Sequence, residues 1–220
     1  MLLSKLAYNV IKNVNYLDDG SFTYSQYLKK SFIGDPDHAT DIVNVFNPIN
    51  LAIARLNDNE KIPYRIDSLN SDNNKLDLTK LPYPVKEVIG IAQMQDGDYK
   101  KLDCRAFNNQ ILITGPYNRN EPVYIEYKID IPYFDDDSFN YEYGNDDELI
   151  SDKDVDLREY GITDSMANYI IQYACSRLQE SSAPDLAIHH LNLAETYFTA
   201  LAPIYPSFSQ RVVHKKYGIE

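Results

Sequence analysis

Two consecutive helical patterns near the end of the chain, within residues 162–201, constrain the fold most. In the first, apolar side chains recur every three or four residues, which is the spacing of one helix face. They are Ala167, Ile170, Ile171, Ala174 and Leu178. The second pattern forms a wider apolar face. It comprises Ala187, His190, Leu191, Ala194, Tyr197, Phe198 and Leu201. Together they predict a helical hairpin over residues 162–202.

The residues at the ends of these patterns suit helix termini. Thr163 is a candidate N-cap for the first helix, because its hydroxyl can accept from a free backbone N–H. Ser182 is the corresponding candidate for the second helix, with Pro184 in the first turn. Pro203 follows the second pattern and favours an end there.

Residues 1–60 predict a further helical part. We expect helices over residues 1–17, over Tyr24–Phe32 and over His38–Leu56. Pro48 lies inside the last pattern, so this helix is either kinked there or consists of two helices that meet at Asn47.

The first residues of the chain do not have the pattern of a signal peptide. Polar residues such as Lys5, Asn9 and Lys12 interrupt the apolar ones, and no small-residue cleavage site follows. No apolar run approaches the length that crosses a bilayer. We therefore expect a soluble protein that is not secreted and has no contact with membranes.

In residues 61–134 the spacing of apolar side chains changes to the two-residue period of strands. The predicted strands are Pro63–Ser68, Val85–Met94, Tyr99–Phe107, Gln110–Thr114 and Val123–Ile131. Asn108 and Asn109 suit a two-residue hairpin, because Asn tolerates positive φ. We expect one small antiparallel sheet inserted between the helical segments.

The next stretch is strongly acidic. Residues 135–159 contain eleven acidic and two basic residues. We predict a long loop over residues 135–161, either mobile or ordered by partners. Residues 203–220 contain prolines, apolar side chains and a small excess of basic residues. This segment is too short for a core of its own, so we predict a docking tail.

The sequence lacks the usual motifs of catalysis and cofactor binding. Its eight glycines are too far apart for a Gly-rich phosphate loop. The formal net charge of −12 argues against a phosphate-binding surface over most of the molecule. We expect no enzymatic activity, no catalytic residues and no cofactor.

Asp152, Asp154 and Asp156 have the first spacings of a calcium-binding loop. Leu157 stands where that loop needs Gly, and Thr163 stands where it needs Glu. We therefore favour a solvated acidic loop and predict no metal site.

The two cysteines, Cys104 and Cys175, lie far apart in sequence. Two buried free thiols are the favoured interpretation, and a disulfide remains the alternative. His190 lies on the apolar pattern of its helix, which favours a hydrogen-bonded interface or core histidine over a ligand. The nineteen tyrosines also favour interfaces, where an apolar ring and a polar tip are both used.

The order of these elements resembles that of tailed-bacteriophage head-to-tail adaptor proteins, also called head completion or connector proteins. The similarity includes the segment LPYPVKEVI (residues 81–89), which introduces the sheet. It is greatest in the hairpin segments YIIQYACSRLQE (169–180) and AIHHLNLAETYF (187–198). The acidic stretch has no counterpart in the family pattern.

The resemblance implies an α+β, mostly helical adaptor fold with an inserted small antiparallel sheet. It further implies a structural virion protein, made in the host cytoplasm and located at the neck. There it would form a cyclic homo-oligomer, a dodecamer that matches the portal. The ring would bind the portal protein and the next tail or neck protein. It would continue the DNA channel without sequence-specific DNA binding, and would serve genome retention and ejection.

The resemblance also suggests residues for two contacts. The predicted portal-docking residues of the tail are Tyr205, Phe208, Arg211, Val212, Val213, Lys215, Lys216 and Tyr217. The predicted subunit-interface residues of the hairpin are Tyr169, Tyr173, His190 and Tyr197. Two alternatives remain: another neck or tail protein, such as a stopper or tail terminator, and a carbohydrate-binding or metal-dependent enzyme.

Overall fold

Apolar side chains at helical spacing, before residue 62 and again after residue 133, build one compact unit of the chain. The computed structural model describes residues 1–15, 23–28, 45–143 and 149–205. Met1–Ile62 and Tyr133–Pro203 form this helical unit. The other unit, called the β unit, is built on Pro63–Pro132. The chain therefore has an α+β fold in which strands interrupt a helical sequence.

The helical unit contains five described α-helices. They are α1 (Leu3–Asn15), α2 (Tyr24–Leu28), α3 (Phe46–Asp58), α4 (Asp164–Gln179) and α5 (Pro184–Ala200). Helix α4 is the central one and packs against α1, α3 and α5. Its Gln179 donates a hydrogen bond to the carbonyl of Val14 at 3.2 Å, which ties the end of α4 to the end of α1.

Two of the predicted N-terminal helices have different bounds. Helix α3 begins at Phe46, so Pro48 lies in its first turn, where proline causes no kink. Residues 38–44 of the predicted helix lie outside the described residues. Of the predicted helix Tyr24–Phe32, the structure describes Tyr24–Leu28, and residues 29–32 lie outside it.

The closing hairpin, α4 and α5, confirms the predicted pair of helices. Thr163 is the N-cap of α4, where its hydroxyl oxygen accepts from the backbone N–H of Met166 at 3.4 Å. The predicted cap of α5, Ser182, is wrong. Pro184 is the first residue of α5, so the cap position falls on Ala183, which offers no side-chain acceptor.

The strands of the β unit form two antiparallel sheets rather than the predicted one. The first sheet has the order β1-β7-β3-β4, and the second has the order β2-β6-β5. The strands are β1 (Arg65–Leu69), β2 (Lys75–Asp77), β3 (Val85–Gln95), β4 (Asp98–Lys101), β5 (Cys104–Phe107), β6 (Gln110–Ile113) and β7 (Val123–Ile129). The Asn108 hairpin is confirmed, with φ of 51° at Asn108 and Phe107 opposite Gln110.

The predicted single strand Tyr99–Phe107 is wrong, because the chain changes sheets within it. Leu102 is buried, and its backbone N–H donates to Ile91 of β3. The next carbonyl, that of Asp103, accepts from Thr114, directly after β6. The backbone groups on either side of this point thus belong to different sheets.

The acidic stretch is not the loop that we predicted. It contains the antiparallel strands β8 (Asn140–Tyr143) and β9 (Leu149–Lys153) and the 3-10 helices Asp136–Ser138 and Leu157–Tyr160. Residues 144–148 of the predicted loop lie outside the described residues. Asp154 accepts hydrogen bonds from the hydroxyls of Ser4 at 2.5 Å and Tyr141 at 2.6 Å. The bond from Ser4 attaches the stretch to α1.

Candidate interaction surface on the closing hairpin

The two helices of the closing hairpin differ in how much of their surface the fold covers. In α4, apolar side chains from Met166 to Cys175 are buried on several sides. In α5, only Ala187 and Ala194 are buried. Because α5 carries a wide apolar face, much of that face stays in contact with solvent. This uncovered part of α5 is the candidate functional site.

One flank of α5 carries a row that we call the α5 seam, consisting of Leu186, His190, Leu193 and Tyr197. Their spacing of four, three and four residues is the spacing of a helix–helix contact. Leu186, His190 and Leu193 are half-buried, and the side chain of Tyr197 is 38% exposed. The α5 seam is thus an apolar row that the chain covers only in part.

The other flank of α5 faces α3. Arg55 of α3 donates to Glu195 of α5, and the ammonium of Lys61, just after α3, donates to the carbonyl of Leu201, just after α5. Both pairs are 140 residues apart in sequence. Because these partners follow one another in the same order along the chain, α3 and α5 run in the same direction at this end. Leu51 lies one turn before Arg55 on α3, and Leu191 lies one turn before Glu195 on α5.

Three exposed apolar side chains lie on α3 and α5 one or two turns before the ion pair. Leu51 on α3 is 50% exposed, and Ile188 and Leu191 on α5 are 58% and 37% exposed. We call these three residues the α3–α5 groove. The Arg55–Glu195 ion pair closes one end of it. Exposed leucine and isoleucine on two helices that run in the same direction make a surface that suits a third helix.

The ion pair rests on an aromatic cluster. The Arg55 guanidinium lies 4.4 Å from the ring centre of Phe198, which in turn lies 5.2 Å from the ring of Tyr169. The hydrogen bond from Arg55 lowers the pKa of the Glu195 carboxyl, and burial raises the pKa of Tyr169 to about 12. The cluster thus joins the C-terminal parts of α3 and α5.

The predicted interface residues have different positions. Tyr169 is fully buried and Tyr173 is 8% exposed, so both pack inside the chain and the surface role that we predicted for them is corrected. His190 lies on the α5 seam, where its Nδ1 and the side-chain oxygen of Gln172 are 2.6 Å apart. Burial, followed by the nearby His189, lowers the pKa of His190. Tyr197 is the fourth predicted residue and lies on the α5 seam.

The apolar residues of the α3–α5 groove were not among the predicted site residues. Leu191 lay on the predicted helix face, but the periodicity gave no sign that it would remain exposed. Leu51 and Ile188 carried no such signal, because their exposure depends on how α3 and α5 lie beside each other. Of the predicted portal-docking residues, Tyr205 is 58% exposed. Phe208, Arg211, Val212, Val213, Lys215, Lys216 and Tyr217 lie outside the described residues.

Two of the carboxylates that we considered for metal binding, Asp154 and Asp156, accept hydrogen bonds from donors of the chain. Asp156 accepts from Arg158, which together with the N-terminal ammonium holds the pKa of this carboxyl well below its usual range. Across the described residues, no group of three or more His, Cys, Asp or Glu side chains is arranged to hold a metal ion. Within the same ranges, no helix is long and apolar enough to cross a membrane.

The cysteines are both free thiols. Cys175 is buried as predicted, and burial raises the pKa of its thiol to about 12. The prediction of burial is wrong for Cys104, which begins the edge strand β5 and is exposed. All four residues of this strand are exposed.

No protein-family model matches the sequence, and no curated protein matches it either.

Proposed function

We propose that the chain is a structural protein of a tailed-phage virion. Its copies form a ring at the neck, join the portal to the tail and continue the DNA channel. The observation that carries this proposal is the uncovered apolar surface of α5, on both flanks of a helix that buries only two alanines. Apolar surface of this kind on a folded unit is typical of protein–protein contacts. The adaptor identity rests on the sequence resemblance.

The distribution of charge supports self-association through α5. The residues of the helical unit, 1–62 and 133–203, include 22 acidic and 9 basic side chains, a balance of −13. Residues 63–132 of the β unit include 10 acidic and 9 basic side chains, a balance of −1. Copies of the helical unit repel each other over most of their surface, so they associate best where neutral apolar contact outweighs repulsion.

Helix α5 is such a neutral region. Its 17 residues contain two acidic side chains, Asp185 and Glu195, and no Lys or Arg. Glu195 is already paired with Arg55. An equally acidic second copy can approach this region at little electrostatic cost.

The acidic surplus also suits the proposed channel. DNA carries a high density of phosphate charge, and a surface rich in carboxylates repels it. A ring whose helical units line the channel would let the genome pass without adhering. The nearly neutral β unit then suits contacts away from the DNA.

Light scattering coupled to size-exclusion chromatography tests the ring, and negative-stain electron microscopy tests its shape. We expect a closed ring and co-purification with the portal protein of the same phage genome. A chain that stays monomeric at high concentration and does not bind that portal would refute the proposal.

A further inference from the structure

We infer that the ring closes by a head-to-tail contact in which the α5 seam of one copy enters the α3–α5 groove of the next copy. This inference rests on the proposed function and adds the two surfaces that meet. Neither surface was assigned by the sequence, apart from His190 and Tyr197 on the α5 seam.

The two surfaces lie on nearly opposite flanks of one helix. An α-helix turns by roughly 100° per residue, so the α5 seam and the groove residues Ile188 and Leu191 point roughly 160° apart around α5. A ring needs two different patches on each subunit, because a patch that binds itself ends at a dimer. The hairpin thus presents two patches in the arrangement that a heterologous contact requires.

The two surfaces differ in width. The α5 seam is one helix wide and, at about 1.5 Å per residue, spans roughly 16 Å from Leu186 to Tyr197. The α3–α5 groove is formed by side chains of two helices, among them Leu51 and Leu191. Side chains at a spacing of four and three residues fit between such rows as knobs into holes. The row on one helix can therefore pack against the exposed side chains of two helices.

Charge indicates that the occupant is a second copy. None of the four α5 seam residues is Asp, Glu, Lys or Arg, and none of the three groove residues is charged; the Arg55–Glu195 pair beside the groove has no net charge. A basic partner would be drawn to the acidic surplus elsewhere on the helical unit. A partner as acidic as this unit is best tolerated where neither surface shows a free carboxylate.

Site-directed cross-linking tests the contact in the full-length chain. All variants carry Cys104→Ser, which removes the exposed native thiol while Cys175 stays buried. Leu51→Cys places a thiol at the groove and Leu193→Cys places one on the α5 seam. A bismaleimide cross-linker should give a ladder of many bands with the double variant. An equal mixture of the two single variants should give only dimers, and each single variant alone should give none.

The matched control replaces Leu193→Cys with Thr196→Cys. Thr196 is exposed on the polar face of α5, so its combination with Leu51→Cys should give no ladder. Circular dichroism and light scattering on every variant establish that the fold and the oligomer persist before cross-linking.

The remaining outcomes distinguish a failure of the head-to-tail contact from a failure of the proposed ring. Cross-linking of Leu193→Cys to itself would show a symmetric α5–α5 contact and overturn the head-to-tail contact. A ring that forms but gives no ladder with the double variant, or an equal ladder with the control, would overturn it as well. Absence of any oligomer in the parent chain would overturn the ring and this contact together.

Discussion

Arg55 and Glu195 join two helices that are 140 residues apart in sequence, through hydrogen bonds of 2.6 Å and 3.0 Å between their paired nitrogens and oxygens. The guanidinium also lies over the ring of Phe198. Salt bridges at a surface contribute little on their own, but this one is bidentate and half-covered, which strengthens it. The pair connects the segment before the β unit to the end of the closing hairpin.

Replacing Glu195 with Gln should lower the free energy of unfolding by about 0.5–1 kcal/mol, because the neutral amide loses the paired charge. Urea unfolding followed by circular dichroism, at one fixed protein concentration, measures the change. Glu180→Gln is the matched control, since Glu180 and Arg177 are a more exposed pair at 3.6 Å on one helix. Its effect should stay below about 0.3 kcal/mol. Equal effects of both substitutions would contradict a joining role for Glu195.

The contribution of this pair should depend on pH. The hydrogen bond from Arg55 lowers the pKa of Glu195 in the folded chain. A carboxyl with a lowered folded pKa stabilises the fold above its unfolded pKa, and this contribution disappears as the pH falls through the folded pKa. The difference in stability between the parent and Glu195→Gln should therefore be full at neutral pH and shrink below the ordinary value of 4.5. Urea titrations across this range test it, and a constant difference down to about pH 2 would contradict it.

The helices illustrate what a single sequence can predict about this fold. Periodicity located α1 and both helices of the hairpin, because a 3.6-residue repeat of apolar side chains is a local property. It did not reveal that Tyr169 is buried and Tyr197 is exposed, because Tyr169 lay beside the predicted apolar face of its helix and Tyr197 lay on that of the next helix. The covered side of each face depends on the position of α3, whose contacts come from the other end of the chain.

The strands show a second limit of prediction from local sequence patterns. The acidic stretch was predicted to be a loop because its many carboxylates obscure the alternation of apolar and polar residues that is typical of strands such as β8 and β9. Its anchors, such as Ser4 on α1, lie about 150 residues away in sequence. The break at Leu102 was equally invisible, since strands on both sides have similar residues and only the pairing partners differ. Long-range pairing is the part of this fold that local patterns do not specify.

Replacing Leu51 with Glu should dissociate the ring without unfolding the subunit. Leu51 is half-exposed, so the charge reaches water in the free subunit and the stability should change by at most about 0.5 kcal/mol. In the assembled groove the carboxylate would lose its water against apolar side chains, at a cost of several kcal/mol. Sedimentation velocity should show a shift from ring to monomer. Thr196→Glu, on the polar face of α5, should keep the ring, and dissociation by both would indicate general charge repulsion.

The two thiols should differ sharply in reactivity. In the native protein, a thiol reagent such as DTNB should modify one cysteine per chain, Cys104, and in urea it should modify two. Partial burial raises the pKa of Cys104, so the native reaction should accelerate as the pH rises above neutrality. Cys104→Ser should abolish the native reaction. Rapid modification of Cys175 in the native state would contradict its burial within the hairpin.

Ending the chain after Tyr205 should separate the two contacts of the proposed ring. The shortened chain keeps α3 and α5 entire, so it should assemble as the full chain does. It loses the predicted portal-docking residues, among them Arg211, Lys215 and Lys216, and should no longer co-sediment with the portal protein. The full-length triple variant Arg211→Glu, Lys215→Glu and Lys216→Glu distinguishes charge from length, because it keeps the tail and reverses its basic residues. Portal binding by the shortened chain would place docking outside the tail, and loss of the ring would assign the tail to subunit contacts instead.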